Sequence, residues 1–110
     1  MVVSNDSVEI TASGLKHEFN FNHIYPPSAL QQNVFEICAA PIIKAATDGY
    51  NGCIFAFGQT GSGKTHTISG PPGHDSMSVS EQRGFLARTI ELIFGLMNRL
   101  LFNYKNILSF

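Results

Sequence analysis

At 110 residues, 44% of them hydrophobic, the chain amounts to at most one small domain with a modest core. A net charge of −1 gives no electrostatic drive toward nucleic acid or a membrane surface. No apolar run approaches a bilayer span, and Met1-Val2-Val3-Ser4-Asn5-Asp6 lacks the basic-then-apolar pattern of a signal peptide. Cys38 and Cys53 have no metal-ligand spacing and read as reduced core thiols. His17, His23, His66 and His74 do not cluster into a metal site.

Val8-Glu9-Ile10-Thr11-Ala12 alternates apolar and polar residues and ends at Ser13-Gly14, which predicts a strand and a turn. His17-Glu18-Phe19-Asn20-Phe21-Asn22 alternates again, so the two segments form a hairpin or two edge strands. Tyr25-Pro26-Pro27 stops the second, because proline cannot continue a ladder. Ser28-Ala29-Leu30-Gln31 has capping-box spacing, with Ser28 as N-cap and Gln31 at the third helical position. Leu30, Val34, Ile37, Cys38, Ile42 and Ala45 then recur at helical spacing. Pro41 must bend or rearrange that helix, Gly49 stops it, and Phe35 packs beside the stripe.

Cys53-Ile54-Phe55-Ala56-Phe57 is a fully apolar run after the turn Tyr50-Asn51-Gly52, as in a strand buried on both faces. It leads into Gly58-Gln59-Thr60-Gly61-Ser62-Gly63-Lys64-Thr65, a complete G-x-x-x-x-G-K-[ST] phosphate loop. Glycines let backbone N–H groups approach a phosphate, Lys64 is placed to reach the β- and γ-phosphates, and the Thr65 hydroxyl is placed for Mg²⁺. One or two helical turns follow from Lys64 to Ile68, so strand, loop and helix start stand in the order this chemistry needs. The segment at about 71–80 reads as a mobile loop, with His74 and Asp75 solvated. Leu86, Ile90, Ile93, Phe94, Met97, Leu100 and Leu101 predict a helix over about 86–101 with a core-facing stripe. Gly95 inside it costs about 1 kcal/mol relative to Ala. Tyr104 to Phe110 reads as the start of a strand.

The stretch from Phe19 to Arg88 resembles the kinesin motor domain. The phenylalanine-rich segment from His17 to Ala29 looks like the strand before that family's first helix. Gln32-Asn33-Val34-Phe35 and Pro41-Ile42-Ile43 look like the helix itself. Asp48 to Gly70 is close to the family signature throughout, including Tyr50-Asn51-Gly52 and Gln59 after the first loop glycine. Arg83-Gly84-Phe85-Leu86-Ala87-Arg88 resembles the resumption of the loop helix after an insertion. Ala87 stands where a proline is usual, and Asn22 where an aspartate is usual.

The resemblance implies an α/β fold: a P-loop NTPase-type mixed central sheet flanked by helices, present over 1–110 as an incomplete motor domain. It implies ATP and Mg²⁺ as ligands, held by Gly58, Gln59, Thr60, Gly61, Ser62, Gly63, Lys64 and Thr65. His66 would lie beside the adenine, and Thr65 would hold the metal. It implies microtubules as partner, a cytoplasmic, cytoskeletal location and a microtubule-stimulated ATPase, with no nucleic acid or membrane partner. The family's Arg-x-Arg-Pro strand and its two switch patterns, Asn-x-x-Ser-Ser-Arg and Asp-x-x-Gly-x-Glu, do not occur in these residues. The 110-residue chain alone is therefore expected to bind nucleotide weakly at best and not to hydrolyse it. The rival readings are a truncated, non-motor nucleotide-binding remnant and an unrelated P-loop ATPase or kinase.

Overall fold

The computed structural model describes residues 2–3, 6–71 and 81–108. Among them the chain forms β1 (Val2–Val3), β2 (Ser7–Ala12), β3 (Leu15–Asn20), α1 (Gln31–Cys38), α2 (Ala40–Thr47), α3 (Lys64–Ile68) and α4 (Phe85–Leu108). The strands make one antiparallel sheet in the order β1-β2-β3. Ser13 (φ 53°) and Gly14 (φ 78°) both take left-handed backbone. Two such residues in succession make the mirror-image turn that matches strand twist. They fix the register from Ala12↔Leu15 to Ser7↔Asn20. The expected hairpin is present. Its second strand starts at Leu15 and ends at Asn20, ahead of the prolines.

The predicted first helix is two helices. Pro41 lacks an N–H and is tolerated only in a first turn, so the chain starts a new helix around it. Ala39 is the elbow, fully buried at 0% exposure. Its N–H donates to the Phe35 carbonyl at 2.9 Å, and its own carbonyl accepts from the Ile43 N–H at 3.0 Å. Gly49 (φ 97°) follows the end of α2 as expected. The capping box does not form. Leu30 is the N-cap, with no side-chain cap bond. Ser28 and Ala29 are taken up in a turn closed by Ala29 N–H to the Pro26 carbonyl at 2.9 Å, and the Gln31 side chain reaches α3 instead.

The core joins Phe35, Ala39, Ala40, Ile43 and Phe85, with Val34, Ile68, Leu92 and Ile93 packed against it. Phe35 and Phe85 meet edge to face, with ring centroids 5.6 Å apart. Only the first half of α4 shares in this packing. Ala87 and Arg88 are buried, whereas Leu86, Phe94, Met97, Leu100 and Leu101 are exposed, contrary to the core-facing stripe expected of them. The apolar period is real, but among the described residues nothing covers its far half. The helix also continues to Leu108, through the residues expected to begin a strand. Extending a formed helix supplies its own backbone hydrogen bonds, whereas a strand needs a neighbour.

The same physics governs residues 53–57. They form no ladder among the described residues. Phe55 and Phe57 are 80% and 93% exposed, and Cys53 and Cys38 are exposed rather than core thiols. The mixed central sheet implied by the resemblance is not formed among the described residues, whose only sheet is antiparallel. The loop expected at about 71–80 lies, from residue 72 onward, outside them, together with His74 and Asp75. No helix among the described residues is long and apolar enough to cross a membrane.

Two glycines join α3 to α4. Gly70 (φ 100°) and Gly84 touch through their backbones. A Cβ built on Gly84 would lie 2.5 Å from Gly70 N, Ile68 O and Ser69 C. Arg88 secures the same segment, its Nε donating to the Arg83 carbonyl at 3.1 Å and an Nη to the Glu81 carbonyl at 2.8 Å. An Arg83–Glu91 ion pair lies alongside. Gly95 is the opposite case, with nothing within 4 Å of a Cβ placed there. Gly95→Ala should therefore stabilise the chain by about 1 kcal/mol through helix propensity alone. Thermal melting followed by circular dichroism checks this, and an unchanged or lower Tm would contradict it.

Candidate functional site

The loop at 58–65 turns on a hydrogen bond from the Ser62 N–H to the Gln59 carbonyl at 3.2 Å. Gly61 (φ 81°) and Gly63 (φ 92°) take left-handed backbone. Gly63 is the N-cap of α3, and its carbonyl accepts the Thr67 N–H at 3.0 Å. Lys64, the first residue of α3, folds back across the loop mouth. Its ammonium donates to the Gly58 carbonyl at 2.7 Å and to the Gln59 carbonyl at 2.6 Å. The ammonium is thus held by two successive backbone carbonyls at the start of the loop. Thr60, Gly61, Gly63, Lys64, Thr65 and His66 line a cleft of about 510 Å³ over this loop.

A second cleft of about 490 Å³ adjoins it, sharing Gly63 and His66. Its far wall is Tyr25, Pro26 and Pro27, with Gln31 and Val34 from α1. Of the loop residues singled out in the sequence, Thr60, Gly61, Gly63, Lys64 and Thr65 line the first cleft and Ser62 the second, the Gly58 and Gln59 carbonyls hold the Lys64 ammonium, and His66 lies on both clefts. Sequence reasoning missed the far wall. Tyr25-Pro26-Pro27 was read only as a strand stop, although a rigid, half-apolar segment before a helix is also suited to bounding a flat ring.

Gln31 was misread as well. Its Nε2 lies 2.6 Å from the His66 carbonyl oxygen and 2.9 Å from His66 Nδ1. Behind this wall the Tyr25 hydroxyl meets the Cys38 thiol at 3.2 Å. Burial, with the Cys38 thiol adding to it, pushes the Tyr25 phenol up to about 12 from its usual value near 10. Because the folded form holds this proton more tightly, the stabilisation is complete below about pH 10. It is lost as pH rises from there through about 12. A phenolate absorbance titration of the native chain should show one tyrosine ionising late. In Cys38→Ala that tyrosine should move down; an identical titration would contradict the thiol's part.

A glycine loop closed on a lysine, after an apolar run and before a helix that starts at that lysine, is the pattern of the phosphate-loop class of proteins. The comparisons narrow this class. The kinesin motor domain model matches residues 2–107. Kinesin-related protein 3 of Dictyostelium discoideum is 41% identical over 90 residues, which is 82% of this chain and 7% of that protein. Kinesin-like protein KIF15 of Homo sapiens is 39% identical over 98 residues, 89% of this chain and 7% of that protein. Kinesin-like protein KIN-14L of Arabidopsis thaliana reaches 55% over 61 residues, 56% of this chain and 6% of that protein. The chain belongs to the kinesin motor-domain family, whose fold is that of a P-loop NTPase. It spans about a tenth or less of the length of these relatives.

Proposed function

We propose that these residues are the nucleotide-binding part of an ATP-driven microtubule motor. The observation that carries the reading is the Lys64 ammonium held at the mouth of a glycine loop, beside a cleft bounded by Tyr25, Pro26, Pro27 and His66. The triphosphate of ATP takes the cleft over 60–65, where Lys64 exchanges its two carbonyl partners for phosphate oxygens. The base takes the neighbouring cleft, against His66 and the Tyr25–Pro27 wall. Mg²⁺ accepts few protein ligands when phosphates supply the rest. The exposed Thr65 hydroxyl, on the same cleft as Lys64, suits it as one oxygen donor. When bound, the ion neutralises charge on the β- and γ-phosphates. Gly58, Gln59, Thr60, Gly61, Ser62 and Gly63 supply the backbone cradle.

Microtubule binding and a cytoskeletal, cytoplasmic location belong to this reading for the whole protein. The alternative is a nucleotide-binding remnant that does not hydrolyse ATP; hydrolysis in this class requires an acid near the metal and a group that positions water. Equilibrium binding of a fluorescent ATP analogue to the chain, with Mg²⁺ and with the metal chelated, tests what both readings share. Saturable, Mg²⁺-strengthened binding supports it, and no saturable binding overturns it. Microtubule-stimulated phosphate release is expected of the whole motor and not of these residues alone, so stimulation by the 110-residue chain would contradict the need for the switch patterns.

A further inference from the structure

Gln31 links α1 to α3, and its geometry fixes a proton. A carbonyl oxygen only accepts hydrogen bonds, so the Gln31 atom 2.6 Å from the His66 carbonyl has to be the amide nitrogen. The opposite amide orientation would set two acceptors against each other. That same NH₂ group lies 2.9 Å from His66 Nδ1. An amide nitrogen has no free lone pair to offer, so Nδ1 accepts the second amide hydrogen and carries no proton itself. The ring proton of neutral His66 is therefore on Nε2.

We propose that Gln31 is a positioning residue for the base cleft, fixing the orientation and the Nε2–H tautomer of the His66 imidazole through paired hydrogen bonds to its ring and its carbonyl. This rests on the nucleotide reading given above. Gln31 and His66 line the same cleft, so the tether fixes both a wall and a donor of that cleft. The bond to the carbonyl pins the backbone of α3 two residues beyond Lys64, and the bond to Nδ1 pins the ring. A base then meets a ring already set in one orientation and one tautomer, without the cost of ordering it. The Nε2–H can donate to a ring nitrogen of the base or to a sugar oxygen, and in this tautomer the ring has no free acceptor. That polarity is a selection rule as well as a contact.

The test reads the imidazole nitrogens of the ¹⁵N-labelled chain by long-range ¹H–¹⁵N correlation, with His66 assigned by the loss of its signals in His66→Gln. The expected wild-type pattern is Nε2 protonated and Nδ1 bare. Gln31→Leu should give a mixture of tautomers. Gln31→Glu, which replaces the donor by acceptors, should put a proton on Nδ1. In Gln31→Leu the dissociation constant of the fluorescent ATP analogue should rise roughly 3- to 10-fold, the effect of about one lost hydrogen bond. Circular dichroism melts accompany both variants, so that a misfolded one is recognised and the other is read.

A wild-type ring protonated on Nδ1 overturns the proposal. So does a pattern unchanged in both variants, or a changed pattern with nucleotide affinity intact. A wild-type chain that binds no nucleotide overturns the proposed function and with it the positioning role; the tautomer pattern shows in that case whether the tether itself exists.

Discussion

Lys64→Ala is expected to raise the dissociation constant for the Mg²⁺–ATP analogue by roughly a hundredfold or more. Micromolar binding needs about 8 kcal/mol. The start of a five-residue helix such as α3 contributes at most about 1 kcal/mol through its dipole. Hydrogen bonds to a charged group contribute roughly 1.5–3 kcal/mol each, so a lysine reaching two phosphates accounts for about 3 kcal/mol or more. Its contacts with the Gly58 and Gln59 carbonyls are given up when phosphate enters, which keeps the estimate at the low end. Lys64→Arg should not restore binding, because a planar fork cannot fill a site shaped for a compact ammonium. Fluorescence anisotropy on wild type and both variants measures this, and equal affinity in Lys64→Ala would remove the assignment of the loop.

Gly84→Ala should be the most destabilising single-atom change in the described structure, with a cost of about 3 kcal/mol. The added methyl would meet three backbone atoms at 2.5 Å, and none can rotate aside. Relief requires α3 to part from α4. On a chain of this size the Tm should fall by more than about 10 °C. Gly95→Ala adds the same methyl group within α4, in open space, and should shift the Tm upward. The opposite signs isolate the clash from any general effect of glycine replacement. A Gly84→Ala chain that melts like the wild type would mean that the α3–α4 junction is not formed in solution.

Features decided within a few residues were legible in the sequence. Ser13-Gly14 needs no distant partner to turn a hairpin, Pro41 breaks a helix wherever it falls inside one, and the glycine loop curls on its own bonds. Most of the misreadings involve partners far along the chain. The apolar run at 53–57 has strand composition, but a ladder requires neighbours. The period of α4 fixes which residues share a face, while cover for Phe94 to Leu101 is a separate matter. Ser28 and Gln31 have the spacing of a cap, but a turn from Pro26 and a partner 35 residues away compete for them and prevail. The loop half of the candidate site could be read directly. The Tyr25–Pro27 wall and the Gln31 tether could not, because only the fold brings them beside His66.

Residues 53–57 lead directly into Gly58 and form no ladder among the described residues. Such a segment takes its order from whatever lies beside it. Each bond it gained there would steady the residue where the Lys64 ammonium rests. By reciprocity, anything that closes the loop onto a ligand favours the segment's pairing by the same free energy. Were pairing at 53–57 to steady Gly58, hydrogen exchange at Phe55 and Phe57 would report on occupancy of the loop.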